Sequence, residues 1–111
     1  MWIFTETGFV SAIADARDPK MIVVRSRERE SLDGIAALAD VAIQSTPLRD
    51  YPFRVHVPRA VLKQLLSTQV DDLDYTNFKN RVHDVRGESF HDALTAVWEI
   101  MHHVQEQDET S

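Results

Sequence analysis

The spacing of apolar residues changes along this chain, and this change constrains the fold more than any other feature. In the first half, β-branched and aromatic residues mostly form short runs, and residues 53–57 alternate strictly between apolar and polar side chains, the period of a half-buried strand. In the second half, apolar residues recur at steps of three and four, the period of an amphipathic helix. Strands followed by helices predict an α+β domain, in which an antiparallel sheet of four or five strands is covered by C-terminal helices.

The predicted sheet contains two hairpins. Its predicted strands are residues 2–5, 9–13, 21–25, 41–44 and 53–57. The first two flank a short turn in which Gly8 is free to adopt a positive φ. The third is apolar on both faces at its start, which is typical of a central strand. The last two predict a second hairpin.

One helix is predicted between the two hairpins, and another follows the last strand. Residues from about 27 to 40 repeat apolar side chains at helical spacing, although Gly34 costs about 1 kcal/mol relative to Ala inside a helix. Pro58 suits the first position of the next helix, because its missing N–H does no harm there. The apolar stripe of that helix is Val61, Leu62, Leu65 and Leu66.

Two further helices are predicted near the end of the chain. Asp74 suits the N-cap of a helix in which Phe78 and Val82 stack one turn apart. Ser89 and Asp92 have the spacing of a capping box, which opens the last helix. We expect the apolar stripe of this last helix to face the core. The stripe consists of Phe90, Leu94, Val97, Met101 and Val104.

The composition indicates one soluble domain in a reducing compartment. The 111 residues include no cysteine, which excludes disulfides and cysteine-ligated metals and favours a cytoplasmic location. No apolar run reaches the roughly 18 residues of a membrane span, so we expect no membrane association. We expect residues 1–105 to form a single domain. Residues 106–111 contain no apolar side chain, so we expect them to form an acidic, flexible tail.

Several short motifs occur together in this chain. They are Met1-Trp2-Ile3-Phe4-Thr5, Gly8-Phe9-x-Ser11, Tyr51-x-x-Arg54-x-x-Val57-Pro58-Arg59, Asp74-Tyr75-x-Asn77-Phe78-Lys79, His91-Asp92-Ala93-Leu94 and Val97-Trp98. In this combination the chain resembles, over nearly its whole length, a family of small proteins of actinobacteria, other bacteria and actinobacteriophages. The resemblance implies a phage or actinobacterial origin, a cytosolic location and one-domain organisation. It implies no catalytic residues and no mechanism.

An acidic face is the first candidate for partner binding. Asp71, Asp72 and Asp74 form a dense run, and the tail from Glu106 adds to the formal net charge of −6. Such a face would engage a basic protein partner, or mimic the charge of nucleic acid on a DNA-processing enzyme. The alternative is a solvated connection between two helices.

Four residues beyond this run are further partner-binding candidates. Tyr75, Asn77 and Lys79 would present polar and aromatic groups at a helix N-terminus, or Tyr75 would simply lock the capped helix start into the core. Trp98 lies beside the apolar stripe rather than within it, so it suits an aromatic anchor for a partner. A homodimer contact and a wider core are the other interpretations of Trp98.

A second surface suggests nucleic acid. If the strand that carries Arg25 pairs with the strand that carries Arg54, these side chains would share a positive face with Trp2 or Phe4. Single-strand binders combine charge with aromatic stacking in this way. Arg27 and His56 belong to the same predicted face. The acidic net charge counts against this interpretation, because nucleic-acid-binding domains are usually basic.

The sequence contains little that indicates catalysis, a metal or a cofactor. Glu99 and His102 have the spacing of a helical di-iron ligand pair, but such sites need two pairs and two more carboxylates. No serine lies in a nucleophile-elbow pattern, and no glycine-rich phosphate loop is present. We therefore expect no catalytic residues, no metal and no cofactor. The preferred hypothesis is a non-enzymatic module that docks on a host or cellular protein, and the alternative is a single-stranded nucleic-acid binder.

Overall fold

The computed structural model describes residues 1–47 and 49–110, apart from the side chain of Thr110. The chain folds as two compact units, Met1–Asp74 and Tyr75–Ser111, and each unit is described here by itself. The sequence predicted a single domain over residues 1–105, and that boundary stays a prediction.

The first unit contains a five-stranded sheet with antiparallel neighbours. Its strands are β1 (Trp2–Thr5), β2 (Gly8–Ala14), β3 (Met21–Ser26), β4 (Gln44–Ser45) and β5 (Phe53–Pro58). They lie in the order β1-β2-β3-β5-β4, so β5 inserts between β3 and the short edge strand β4. The α+β class and both predicted hairpins, β1–β2 and β4–β5, are confirmed.

Helices of the first unit pack on one face of this sheet. They are a 3₁₀ turn at Arg29–Leu32, α1 (Asp33–Ala39) and α2 (Arg59–Asp71). The α-helix predicted over residues 27–40 is shorter than expected because the chain first forms a 3₁₀ turn, in which the N–H of Asp33 donates to the carbonyl oxygen of Glu30, three residues back. It ends where Asp40 adopts the left-handed conformation, with φ 54°.

The core lies between the helices and the face of the sheet that we call the inner face. The buried inner-face residues are Ala12, Ile22, Val24, Val55 and Val57, and the helical segments add Leu32, Ile35, Ala36 and Leu62. Successive side chains of a strand point to opposite faces. The residues between these core positions therefore form the opposite, outer face of the sheet.

The second unit consists of two helices, α3 (Phe78–Arg86) and α4 (Glu88–Thr110). Gly87 joins them with a φ of 89°, a conformation that strongly favours glycine. At a rise of 1.5 Å per residue, α3 is about 13 Å long and α4 about 34 Å. Helix α3 is therefore too short to pack along the whole of α4.

Both helices of the second unit start at a different residue from the one predicted. The Oδ1 atom of Asn77, not Asp74, caps α3 by accepting a hydrogen bond from the N–H of Asn80 at 3.1 Å. Helix α4 begins before Ser89, because the N–H of His91 already donates to the carbonyl oxygen of Gly87 at 3.2 Å. The capping-box prediction was wrong for this reason.

The predicted flexible tail, residues 106–111, is helical as far as Thr110, and Ser111 lies outside the described residues. The side-chain nitrogen of Gln105 donates to Glu109 at 2.9 Å, a spacing of four residues that supports a helix. Among the residues that the structure describes, no helix combines the length and the apolar character needed to span a membrane.

Leu32 tests whether this core carries the stability of the first unit. Leu32 is fully buried (0% exposed), whereas Leu38 on α1 is 41% exposed. We expect Leu32→Ala to lower the free energy of unfolding by about 2–5 kcal/mol, because it removes buried methyl groups and leaves a cavity. Urea unfolding can be followed by Trp2 fluorescence in a Trp98→Phe background, so that only the first unit is observed. The matched control Leu38→Ala should cost under about 1 kcal/mol, and equal losses from both variants would contradict the assigned core.

Candidate functional site

The outer face of the sheet carries a row of residues that crosses all five strands. In spatial order the row is Trp2, Ser11, Arg25, Arg54 and Gln44, and each residue is the cross-strand partner of the next. The nucleic-acid interpretation requires Arg25 to lie beside Arg54, and the pairing of β3 with β5 places them directly opposite each other. Because opposed residues have Cβ atoms about 5 Å apart, two positive side chains are held close together.

Arg25 is held by groups that leave its charge uncompensated. Its Nη2 atom donates to the hydroxyl of Ser11 at 2.8 Å, and its guanidinium carbon lies 4.6 Å from the centre of the Tyr51 ring. The Nε atoms of Arg25 and Arg54 are buried without a hydrogen-bond partner. Neither arginine forms an ion pair with any residue that the structure describes. The pair therefore retains positive charge that an anion can use.

The other two residues of the predicted nucleic-acid face already have acidic partners. The Nη1 atom of Arg27 lies 3.0 Å from Oδ1 of Asp50. The Nδ1 atom of His56 lies 3.2 Å from Oδ2 of Asp15. Of the four predicted residues, only Arg25 and Arg54 are therefore placed to receive an external anion.

Three aromatic rings lie at the β1 side of the same outer face. Phe4 and Phe9 stack with their ring centres 4.5 Å apart and their planes 25° apart. Trp2 approaches Phe9 edge-on at 5.8 Å and is 71% exposed. The exposed ring of Trp2, supported by Phe9, provides a stacking surface. Trp2 lies on β1, two strands away from Arg25 on β3.

The predicted acidic face begins at the C-terminal end of α2. Asp71 is the last helical residue, and the N–H of Asp72 closes the helix by donating to the carbonyl oxygen of Thr68 at 2.9 Å. No basic residue lies in the last turn, so the carboxylates stand at the negative end of the helix dipole, which disfavours them there. Asp71, Asp72 and Asp74 are all exposed.

The candidates in the second unit serve different purposes. Asn77 is the N-cap of α3, and the ring of Tyr75 lies 6.0 Å from that of Phe78, an arrangement that favours the structural interpretation of both residues. Lys79 and Trp98 come together, with the ammonium 4.9 Å from the indole ring. Trp98 also stacks on His102, with the ring planes 4° apart.

Helix α4 exposes most of the apolar stripe that the sequence predicted to face the core. Leu94 is buried, but all residues from 96 to 109 are exposed. The large apolar side chains among them are Val97, Trp98, Ile100, Met101 and Val104, and we call this set the α4 surface. The prediction was wrong for these residues because α3 is too short to cover the second half of α4.

Two histidines of α4, His102 and His103, lie near Glu106, and the Glu99–His102 spacing that the sequence analysis set aside as a ligand pair has no such contact among the described residues. The Nε2 atom of His102 lies 3.3 Å from Glu106, and the Nδ1 atom of His103 lies 3.7 Å from the same residue. Across the described residues, no three His, Asp or Glu side chains are grouped closely enough to hold a metal ion.

Three residues on or beside the outer face were not assigned a role from the sequence. Ser11 and Tyr51 hold Arg25, and Asp15 holds His56. For Ser11 a signal was present, because its position in the alternation of β2 predicts the same face as Trp2. Tyr51 lies before β5, and no local pattern predicts which strand its ring will contact.

Comparisons of this chain with models of protein families, with curated proteins and with solved structures found no match. The proposals on function therefore depend on the surfaces described above.

The ionisation of Asp15 tests the anchoring of His56. The backbone N–H of Arg17 and then the hydrogen bond with His56 lower the pKa of Asp15 below its ordinary value of 3.8. The carboxylate thus stabilises the fold above about pH 4, and this contribution is lost as the pH falls through the lowered pKa. We expect Asp15→Asn to be less stable than the wild type in urea unfolding at pH 7, with the difference shrinking in strong acid. A pKa at or above 3.8, measured by carboxyl NMR titration, would contradict this account.

Proposed function

We propose that this chain is a non-enzymatic interaction module, and that its α4 surface docks on another protein by pairing with a basic amphipathic helix. The observation that carries the proposal is the exposure of a regular apolar stripe on the half of α4 that α3 does not cover. The resemblance to small phage and actinobacterial proteins favours a host or cellular protein as the source of the partner helix.

The spacing of this stripe suits a helix as the occupant. From Phe90 to Val104 the apolar positions advance by four, three, four and three residues, which gives the 3.5-residue period of a seam between paired helices. Ile100 and Trp98 flank the seam on either side. Trp98 is 59% exposed and supported by Lys79, so it is available as an aromatic anchor.

The second half of α4 also has little packing beyond the contact of Trp98 with Lys79 that would hold it as a helix. Its 14 residues from 96 to 109 are all exposed, and isolated helices shorter than about 12–15 residues are marginal in water. A partner helix would bury the seam and stabilise this segment. Pairing therefore supplies what the second unit itself does not.

The charge of α4 selects a basic partner. Helix α4 contains six of the 18 Asp and Glu residues of the chain and none of its 12 Lys and Arg residues. Pairing with a second copy would bring two such helices together, which like-charge repulsion disfavours. A helix with lysines beside its apolar face would instead complement this field.

Two synthetic peptides test this proposal. Both carry leucines at the same seam spacing, and one has lysines and the other glutamates at the flanking positions. In isothermal titration calorimetry, we expect the full chain to bind the lysine peptide and to show no binding of the glutamate peptide. Met101→Glu should weaken binding about tenfold or more, because it places a charge in a seam that otherwise buries a methionine worth about 1.5–3 kcal/mol.

The control variant places the same charge on α4 outside the seam. Ala96 is exposed and lies outside the apolar stripe, so the variant Ala96→Glu should bind the lysine peptide with unchanged affinity. Equal binding of both peptides, or a self-associated chain that Met101→Glu dissociates in analytical ultracentrifugation, would overturn the choice of a basic partner.

A second candidate function is binding of single-stranded nucleic acid by the outer face of the sheet. The specific observation in its favour is the Arg25–Arg54 pair, which has no carboxylate partner among the described residues and shares its row with the exposed ring of Trp2. Phosphates would approach the arginines, and a base would stack on the indole.

Fluorescence anisotropy with a labelled oligothymidine distinguishes this second candidate. Binding by the outer face should be strongest at low salt and should weaken steeply as salt is added. Trp2→Ala should then weaken binding by roughly tenfold, the loss of one stacked base at about 1–3 kcal/mol. The control Phe53→Leu, a change on the inner face, should have no effect. Unchanged anisotropy at low salt would remove this candidate and leave the docking function standing.

A further inference from the structure

The first unit contains an open cavity of about 480 Å³ where β2 ends and α2 begins. Small-molecule sites in proteins typically measure about 300–1,000 Å³. The apolar walls include Ala14 and Ile22 on the strands and Leu62 and Leu66 on α2. All of its lining residues belong to the first unit.

The cavity exists because small residues occupy the end of β2. Ala12 and Ala14 take inner-face positions opposite Val24 and Ile22 of β3. An alanine side chain is a single methyl group, so these two residues fill less of the space between β2 and α2 than longer side chains would. On the other side, residues 59, 62, 63 and 66 of α2 recur at helical spacing and present one face of the helix to this space.

Two cationic side chains, Arg59 and Lys63, line the cavity with these apolar walls. Lys63 forms no hydrogen bond or ion pair with any described residue. Arg59 uses its Nε atom to donate to the carbonyl oxygen of Pro19 at 2.7 Å, which leaves its terminal nitrogens for another acceptor. No acidic residue lies in the first turn of α2, and no side chain in the described part of the chain caps it, so the helix dipole adds positive potential there.

The carboxylate that follows β2 does not neutralise these cations. Asp15 accepts a hydrogen bond from the N–H of Arg17 at 2.8 Å, and its other oxygen contacts His56 at 3.2 Å. An apolar cavity with an uncompensated positive border favours a ligand with an apolar chain and an anionic head group.

We propose that this cavity binds an amphipathic monocarboxylate of the fatty-acid class. Its chain would lie between the β2 alanines and the leucines of α2, where burial removes apolar surface from water. Its carboxylate would accept charge-assisted hydrogen bonds from Arg59 and Lys63. This site shares no residue with the α4 surface, and the proposal does not depend on the docking function.

Calorimetric titration of the full chain with sodium decanoate, kept below its micelle-forming concentration, tests the proposal. We expect saturable binding of one decanoate per chain. Decyltrimethylammonium, which has the same chain length and the opposite charge, should not bind. Absence of decanoate binding, equal binding of both amphiphiles, or binding only to phosphatidylglycerol vesicles would each overturn the assignment.

Two variants locate the ligand. Lys63→Glu should weaken decanoate binding about tenfold, because it replaces a charge-assisted hydrogen bond with repulsion. Arg49→Glu makes the same change in charge at an exposed position of the first unit that does not line the cavity, and it should leave binding unchanged. Equal losses from these two variants would show nonspecific attraction and contradict the proposal.

Ala14→Phe tests the cavity itself. Ala14 is exposed at the end of β2, so a strand-compatible aromatic ring can fill the space without disturbing the buried core. We expect this variant to keep the wild-type circular dichroism spectrum and to lose decanoate binding. A folded Ala14→Phe chain that binds decanoate as the wild type does would place the ligand elsewhere.

Discussion

The antiparallel pairing of β3 with β5 is the interaction on which the first unit depends. This one register places Val24 opposite Val55 on the inner face and Arg25 opposite Arg54 on the outer face. A shift of one residue would turn every core side chain toward the outer face, so burial of the valines fixes the register. The proximity of the two arginines is therefore a consequence of the core and is enforced by its stability.

This enforced proximity has an electrostatic cost, because like charges directly opposite each other destabilise a sheet. The side chains around Arg25 reduce that cost without removing the charge. The hydroxyl of Ser11 accepts a hydrogen bond, and the ring of Tyr51 offers its negative face. A carboxylate in either place would have neutralised the guanidinium. The outer face of the sheet thus keeps a positive region, whereas the inner face packs against the core.

The sequence predicted the architecture better than it predicted the surfaces. The alternation of apolar and polar residues over residues 53–57 predicted both the strand β5 and the side chains on each of its faces. One pattern was enough for both, because successive side chains of a strand point to opposite faces of the sheet. The α4 surface shows the limit of this reasoning. A helical period identifies an apolar stripe but not the length of the element opposite it, so the exposure of Met101 followed from the shortness of α3.

The α3 cap shows another limit, since Asp74 and Asn77 are both good capping residues and only the path of the backbone selects between them. The cavity at Ala14 depends on three elements and has no local signature.

The distribution of charge changes what the net charge implies. The chain has a formal charge of −6, and α4 alone, with six acidic residues and no Lys or Arg, accounts for all of it. Residues 1–87 therefore contain equal numbers of acidic and basic side chains. The acidic composition that counted against an anionic ligand is a property of one helix, and it says little about the sheet or the cavity in the first unit. The charges beside each surface therefore differ in sign: cations at Arg54 and Lys63 in the first unit, and carboxylates along α4 in the second.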